Sequence, residues 1–199
     1  MPLAWMNILQ GKIIRRCARV FQKFRVLFYS ALSSDVCIQG TIKRSQPLLI
    51  VGKGNIIIKG TATLGYFPSP FYFSSYAHFD LRQNNPRIEI GNGVIINNNS
   101  TFIADGATIS IGDDSLIGLN FTAMTSDAHG LRPENRRLPD FPRKDVIIGN
   151  NVFIGNNVTI LKGAIVGNNA VIGSGSVVVS NIPENVIAAG VPCRVIKEF

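Results

Sequence analysis

Aliphatic residues recur every six positions in the C-terminal part of the chain, and this period constrains the fold more than any other feature. The six residues are Ile148, Ile154, Ile160, Val166, Ile172 and Val178. A small or β-branched residue stands four positions after each of the first five, at Val152, Val158, Ala164, Ala170 and Ser176. An α-helix cannot keep a six-residue repeat on one face, and a flat strand alternates every two residues. The repeat therefore predicts a triangular solenoid of short parallel strands, with three sides to a coil.

Asparagine pairs stand where this solenoid needs corners, at 150–151, 156–157 and 168–169. Asparagine adopts left-handed backbone at low cost, so we interpret these pairs as turn residues rather than as a sugar-binding array. The same six-residue pattern begins at Ile90 and again, after a shift of three residues, at Ile111; a degenerate version covers 50–65. Roughly six coils follow, which at a strand spacing of about 4.8 Å give a prism about 30 Å long.

Two long stretches interrupt the repeat. Residues 66–87 include seven aromatic side chains between 66 and 79, and residues 128–145 include five cations and three prolines. Long excursions from a regular scaffold often carry function. We therefore divide the chain into a basic helical arm, residues 1–34, and an all-β solenoid domain, residues 35–199, that bears both excursions.

The formal net charge of +8 is concentrated in the arm. Residues 1–34 hold six cations and no acid, whereas the remaining 165 residues hold 14 basic and 12 acidic side chains. A nucleic-acid-binding protein more often spreads its cations over a folded face, and the chain carries no recognised nucleic-acid motif. We therefore expect no nucleic-acid partner.

Apolar residues of the arm follow a helical stripe at positions 6, 9, 13, 17, 20, 24 and 27. This spacing predicts an amphipathic helix with the basic residues between the apolar ones. Two interpretations stay open. In one, the helix packs on its own body or on a neighbouring subunit; in the other, residues 1–30 form an interfacial helix on anionic lipid.

The sequence favours a cytoplasmic location, with peripheral contact at the inner face of the membrane as an option for the arm. No segment has the pattern of a signal peptide, and no uncharged stretch suits a membrane-spanning helix. The three cysteines, Cys17, Cys37 and Cys193, have spacings that suit neither a zinc site nor a disulfide framework. Free thiols of this kind are typical of a reducing compartment.

Three segments resemble the hexapeptide-repeat acyltransferases, and most closely the galactoside and maltose O-acetyltransferases and the sugar O-acetyltransferases of polysaccharide assembly. They are IGDDSLIGLNFTAMTSDAHG at 111–130, IGNNVFIGNNVTILKGAIVGNNAVIGSGSVV at 148–178 and IPENVIAAGVPCRVIKE at 182–198. The resemblance covers about residues 36–199. It implies a left-handed parallel β-helix, a homotrimer with active sites between neighbouring prisms, and acetyl transfer from acetyl-CoA to a saccharide hydroxyl with no catalytic metal.

The resemblance also assigns the catalytic base to His129, in the stretch Thr-Ser-Asp-Ala-His-Gly at 125–130. The chemistry suits a histidine, because a sugar hydroxyl that attacks a thioester needs a positioned base to take its proton. Imidazole can accept that proton and return it to the leaving thiolate. We expect direct transfer in a ternary complex, since Cys37 and Cys193 match no catalytic position of the family.

Further site residues come from the same resemblance. For acetyl-CoA they are Asn156, Ser174, Val179, Ser180, Arg194 and Lys197. The two tail cations suit the phosphates of coenzyme A. Relatives often have Thr-Lys where this chain has Val179 and Ser180, so Lys162 or the basic loop is expected to compensate for the missing cation. For the acceptor the candidates are Asn98, Asn99 and Asp105, with Asp105 equally readable as a turn residue.

Two other functions stay open at this point. An antibiotic or xenobiotic O-acetyltransferase would share the histidine and the tail, and a scaffold solenoid without catalysis would need neither. A carbonic anhydrase of the same architecture needs three zinc-binding histidines, and this chain has two histidines in total.

Overall fold

A computed structural model describes residues 2–199, with side chains from residue 11 onward. The chain begins with a helix, α1 (Pro2–Leu32), and continues as short strands that wind round a triangular prism. Strands on the same side of successive coils pair in parallel, in one twelve-stranded sheet that bends round a corner and one six-stranded sheet.

Two long strands, β1 (Cys37–Arg44) and β3 (Asn55–Leu64), each cover sides 1 and 2 of the first two coils. The further strands of side 1 are β5 (Arg87–Ile90), β8 (Thr108–Ile111), β11 (Val146–Ile148) and β14 (Ile165–Val166). Those of side 2 are β6 (Ile95–Ile96), β9 (Leu116–Ile117), β12 (Phe153–Ile154), β15 (Val171–Ile172) and β17 (Val186–Ala189). Side 3 consists of β2 (Leu48–Gly52), β4 (Ala77–Arg82), β7 (Thr101–Asp105), β10 (Thr122–Met124), β13 (Thr159–Ile160) and β16 (Val177–Val178). The last strand, β18 (Arg194–Glu198), turns back and pairs antiparallel with β17.

The residues of the six-residue repeat fill the centre of the prism. All six aliphatic positions from Ile148 to Val178 are buried, and so are the five smaller residues between them, including Ser176. In the coils before the repeat, aromatic rings join the aliphatic core: the ring centroids of Phe79 and Phe102 lie 4.7 Å apart in an edge-to-face arrangement, and those of Phe102 and Phe121 lie 5.4 Å apart with tilted rings. The left-handed parallel β-helix is therefore confirmed, and the six strands of side 3 give the expected six coils.

Asparagines at the corners join one coil to the next. The second residue of each pair has left-handed backbone, with φ of 53° at Asn151, 57° at Asn157 and 58° at Asn169. Their carboxamides form a ladder in which Asn151 Nδ2 donates to Asn169 Oδ1 at 2.9 Å. These side-chain amides form hydrogen bonds with the neighbouring coil, which supports the interpretation of these asparagines as turn residues.

The first excursion is shorter than the predicted 66–87. Its irregular part ends at residue 76, because Ala77–Arg82 forms β4 and pairs with both β2 and β7. Phe79 and Leu81 point into the core, while His78 and Arg82 alternate with them as half-buried residues and Asp80 between them is buried. This period of two was present in the sequence, but the aromatic cluster before it obscured the boundary. The second excursion, predicted at 128–145, lies between the end of β10 at Met124 and the start of β11 at Val146.

Helix α1 lies against the first coils through the face opposite to its apolar stripe. Gln22 is 4% exposed, whereas stripe residues such as Val20 and Phe24 are both 63% exposed. The stripe therefore does not pack on the protein's own body, which corrects that part of the first interpretation. Within residues 2–199, no helix is long and apolar enough to cross a membrane.

Candidate functional site

His129 lies in the excursion that leaves the prism after β10, at the corner between sides 3 and 1. Its imidazole is exposed, and its Nδ1 lies 3.0 Å from the carbonyl oxygen of Gly130. A carbonyl only accepts, so a neutral imidazole in this geometry carries its proton on Nδ1. The lone pair of Nε2 is then available to take a proton from a bound molecule.

A buried polar cluster ties this excursion to the prism. Asp105, 2% exposed at the end of β7, accepts a hydrogen bond from Ser126 Oγ at 2.9 Å and one from Arg143 Nε at 3.2 Å. Thr125 Oγ1 accepts from the backbone N–H of Asp105 at 2.8 Å. The guanidinium of Arg143 also covers the ring of Phe141, 4.1 Å from its centroid. Both ends of the loop that carries His129 are thus held at one carboxylate.

We expect Arg143→Gln to release this loop, because the change leaves the Asp105 carboxylate buried without its charged partner. The loop is exposed between 131 and 140, so it should detach locally while the prism stays folded. Trypsin should then cleave after Arg136 or Arg137 about tenfold faster or more, as followed by mass spectrometry. Arg132→Gln is the matched control, since it removes another loop arginine at an exposed position. Equal cleavage of wild type and Arg143→Gln would show that the ion pair does not hold the loop.

A second ion pair lies beside His129 at the same corner. Lys162 Nζ, from the next coil, donates to the carboxylate of Asp127, two residues before the histidine. Lys162 is therefore not a free cation, and any compensation for the missing lysine near Val179 and Ser180 would require it to leave Asp127. Val179 and Ser180 are exposed and follow β16, so they lie at this corner two coils beyond the histidine.

Asn156 and Ser174 come together at a different corner, between sides 2 and 3. Both side chains are exposed, and Ser174 Oγ accepts from the backbone N–H of Asn156 at 3.0 Å. They line a groove of about 260 Å³ together with Tyr66, Asn97 and the outer side chains of side 2. Gly118 and Gly155 form its floor at the ends of β9 and β12, where a Cβ on Gly118 would meet the Gly155 carbonyl at 2.5 Å.

Asn98 and Asn99 lie at the same corner as the groove, one coil before the strand that leads to His129. Asn98 is fully buried, and its Nδ2 donates to the carbonyl oxygens of Tyr66, Ser69 and Pro70, at 3.1, 3.2 and 2.8 Å. Its Oδ1 accepts from the backbone N–H of Tyr66 at 3.0 Å. Asn98 thus anchors the aromatic excursion. Asn99 is half-buried, and its Nδ2 donates to Asn120 in a corner ladder.

The predicted tail cations lie on β18, beyond the last coil of side 2. Arg194 and Lys197 are both exposed, opposite Ala189 and Ile187 of β17. Cys193 precedes them and is buried, and burial raises the pKa of its thiol above the ordinary 9.0, against smaller opposing effects of Ser176 and Arg194. A buried, protonated thiol is a poor nucleophile.

Apart from Arg194 and Lys197 on β18, the site residues predicted from the sequence fall into two groups within one chain. Asp105, His129, Val179 and Ser180 share the corner between sides 3 and 1, whereas Asn98, Asn99, Asn156 and Ser174 share the corner between sides 2 and 3. Sequence reasoning missed the roles of Ser126, Asp127 and Tyr66. Nothing in the local sequence announced these roles, because each depends on a partner in another coil. Within residues 2–199, no group of three or more His, Cys, Asp or Glu side chains is placed to hold a metal ion.

Comparison with known proteins identifies the family. Residues 145–180 match the family described as bacterial transferase hexapeptide (six repeats). Galactoside O-acetyltransferase of Escherichia coli (strain K12) is 39% identical over 158 residues, which span 78% of this chain and 72% of that protein. A solved galactoside acetyltransferase in complex with coenzyme A has a TM-score of 0.56 and 30% identity, over 91% of this chain and 80% of that one. A polysialic acid O-acetyltransferase has a TM-score of 0.61 and 25% identity, over 83% of this chain and 89% of that one.

The likeness to the Escherichia coli protein is extensive along both chains, and the matched family segment is the one whose repeat builds the last two coils. On this ground the chain belongs to the hexapeptide-repeat acyltransferases.

Proposed function

We propose that the protein transfers an acetyl group from acetyl-CoA to a hydroxyl of a saccharide, with His129 as the general base. The observation that carries the proposal is the contact of His129 Nδ1 with the Gly130 carbonyl, which leaves Nε2 free on an exposed loop. The relatives named above act on galactosides and on polysialic acid, and one of them is solved with coenzyme A. These names support a thioester donor and a sugar acceptor.

The reaction balances without a covalent enzyme intermediate. The sugar oxygen attacks the thioester carbonyl while Nε2 of His129 takes the hydroxyl proton. The tetrahedral intermediate then collapses, the carbon–sulfur bond breaks, and the imidazolium returns the proton to the leaving thiolate. Cys193 is buried with a raised pKa, which supports direct transfer in a ternary complex rather than an acetylated thiol.

We further propose that each site is built from two copies of the chain in a homotrimer. One chain supplies the corner with His129, and its neighbour supplies the groove with Asn156 and Ser174. The support is that these groups lie at different corners of one prism and cannot meet within it. In this arrangement Val179, Ser180, Arg194 and Lys197 flank the coenzyme at the far end of the coils.

For contacts with the saccharide acceptor, we propose fewer residues than the sequence alone suggests. Asp105 is committed to Ser126 and Arg143, so it acts by holding the loop that carries His129. Asn98 is committed to the aromatic excursion, which leaves Asn99 as the partly exposed polar group on its coil. We propose surface polysaccharide assembly in the cytoplasm as the setting.

The test is release of free thiol from acetyl-CoA by the purified protein across a panel of mono- and oligosaccharides. We expect release that depends on one class of sugar, with the acetyl group found on that sugar by mass spectrometry. A panel that includes antibiotics with free hydroxyls distinguishes the alternative acceptor class. Release with an antibiotic and with no sugar would replace the saccharide in the proposal.

A further inference from the structure

The orientation of helix α1 about its own axis is fixed by hydrogen bonds to the prism and to the aromatic excursion. Gln22 Nε2 donates to the carbonyl oxygens of Ser45 and Tyr72, both at 2.9 Å. Arg25 donates to the carbonyl oxygen of Ser75 at 2.7 Å and to Gln22 Oε1 at 2.8 Å. Rotation of the helix would break all of these bonds, so the face opposite Gln22 is held away from the body.

That outward face is apolar along its length. The exposed fractions are 54% at Ile13, 63% at Val20, 63% at Phe24 and 70% at Leu27, and Phe21 and Phe28 beside them are exposed as well. The four positions follow the three-and-four spacing of a single helical stripe. Monomeric soluble proteins rarely leave such a contiguous apolar surface uncovered, which marks it as an interaction surface.

Cations flank this stripe with no acid among them. Lys12, Arg16 and Lys23 are exposed on one side of the helix, next to Arg19. Residues 11–34 contain no Asp or Glu. An apolar stripe with a basic border is the pattern of a helix that lies in the plane of a lipid interface.

The aromatic excursion lies on the other side of α1, the side that faces the body. Phe67 and Phe73 are exposed and, with Tyr72, face α1 across a cavity of about 430 Å³. The cavity has Arg15 and Arg19 on its helix side, together with Ile14 and Ala18. This cavity therefore lies between α1 and the body and is not part of the stripe.

We propose that the outward face of α1 binds the surface of an anionic phospholipid bilayer. The stripe enters the boundary between headgroups and acyl chains, and the flanking cations contact lipid phosphates. Charge favours an anionic bilayer over a second copy of the chain as the partner of this surface. A second copy of α1 would place its six cations beside the six of the first copy, and the rest of the chain is itself slightly basic. A bilayer that contains anionic lipid attracts each of these cations.

The test is sedimentation of the full-length protein with vesicles of phosphatidylcholine alone, or of equal parts of phosphatidylcholine and phosphatidylglycerol. We expect binding to the mixed vesicles, little binding to neutral ones, and weaker binding as salt is raised. The stripe variant Phe24→Gln with Leu27→Gln should bind roughly a hundredfold more weakly. The variant Lys12→Gln with Arg16→Gln and Lys23→Gln should lose a similar factor, roughly a hundredfold.

Matched controls exist in the second excursion. Leu131→Gln with Leu138→Gln removes two exposed leucines, and Arg132→Gln with Arg136→Gln and Arg137→Gln removes three exposed cations. Both controls should bind vesicles as the wild type does. All substituted side chains are exposed, so thermal unfolding should confirm that each variant is folded.

Two results would overturn the proposal. One is wild-type protein that stays in the supernatant with anionic vesicles. The other is a stripe variant that binds vesicles normally but changes its oligomeric state in sedimentation velocity, since the stripe would then be an interface between copies of the chain.

Discussion

His129→Gln is expected to lower the rate of acetyl transfer by roughly 10²–10⁴-fold, the range that removal of a general base usually costs. Glutamine is polar and close in size, but it cannot accept a proton at the pH of the reaction. The side chain is exposed in the loop, so the substitution should leave the prism intact. The measurement is acceptor-dependent thiol release from acetyl-CoA, with wild type and variant compared at saturating donor.

The chain offers its own control for this experiment. His78 is the other histidine, on the outer surface of β4, and His78→Gln removes an imidazole without touching the loop. We expect His78→Gln to retain the wild-type rate. Equal rates for wild type and His129→Gln would show that His129 is not the base, even if the saccharide specificity were as proposed.

Mixed oligomers should recover activity from two inactive chains. Ser174→Trp fills the groove beside Asn156, and we expect it to abolish activity on its own. When His129→Gln and Ser174→Trp chains are co-expressed with different tags, some neighbours combine an intact loop with an intact groove. With random mixing, about a quarter of the shared sites are intact, so about a quarter of the wild-type activity should return.

A second mixture separates a shared site from one contained in a single chain. Chains with both substitutions, mixed equally with wild type, should retain about a quarter of the activity if sites are shared and about half if each chain holds a whole site. The conclusion drawn from the two mixtures does not depend on the rate of each variant on its own. No recovery in the first mixture and half activity in the second would contradict a site between chains.

The core of the prism was predictable because its spacing is a property of the backbone. Residues such as Ile154 and Ile160 point inward at every sixth position whatever surrounds the prism, and a short hexad pattern was enough to predict them. The same holds for Asn157, whose left-handed backbone follows from the corner itself. Local sequence determines these features, so local sequence reveals them.

Other features depend on contacts between distant parts of the chain. Asn98 belongs to a corner motif like its neighbours, yet its amide holds residues about 30 positions earlier in the chain. The apolar stripe of α1 predicted a helix, but its direction was set by Gln22 and Arg25, which bind carbonyls of two other segments. The position of His129 came from a family likeness, while the cluster that holds its loop required the structure.

The position at which the second excursion is inserted into its coil bears on how such proteins diversify. Hydrogen bonds from a backbone N–H to an asparagine Oδ1 join neighbouring coils along a ladder of asparagines. One joins Asn150 to Asn168, 18 residues apart, and another joins Asp113 to Asn150, 37 residues apart across the excursion. Both measure 2.8 Å. The contacts between neighbouring coils are therefore the same with and without an inserted loop. Loops at this corner can be exchanged, lengthened or shortened in evolution or by design while the scaffold keeps its register, and new acceptors become accessible without a new fold.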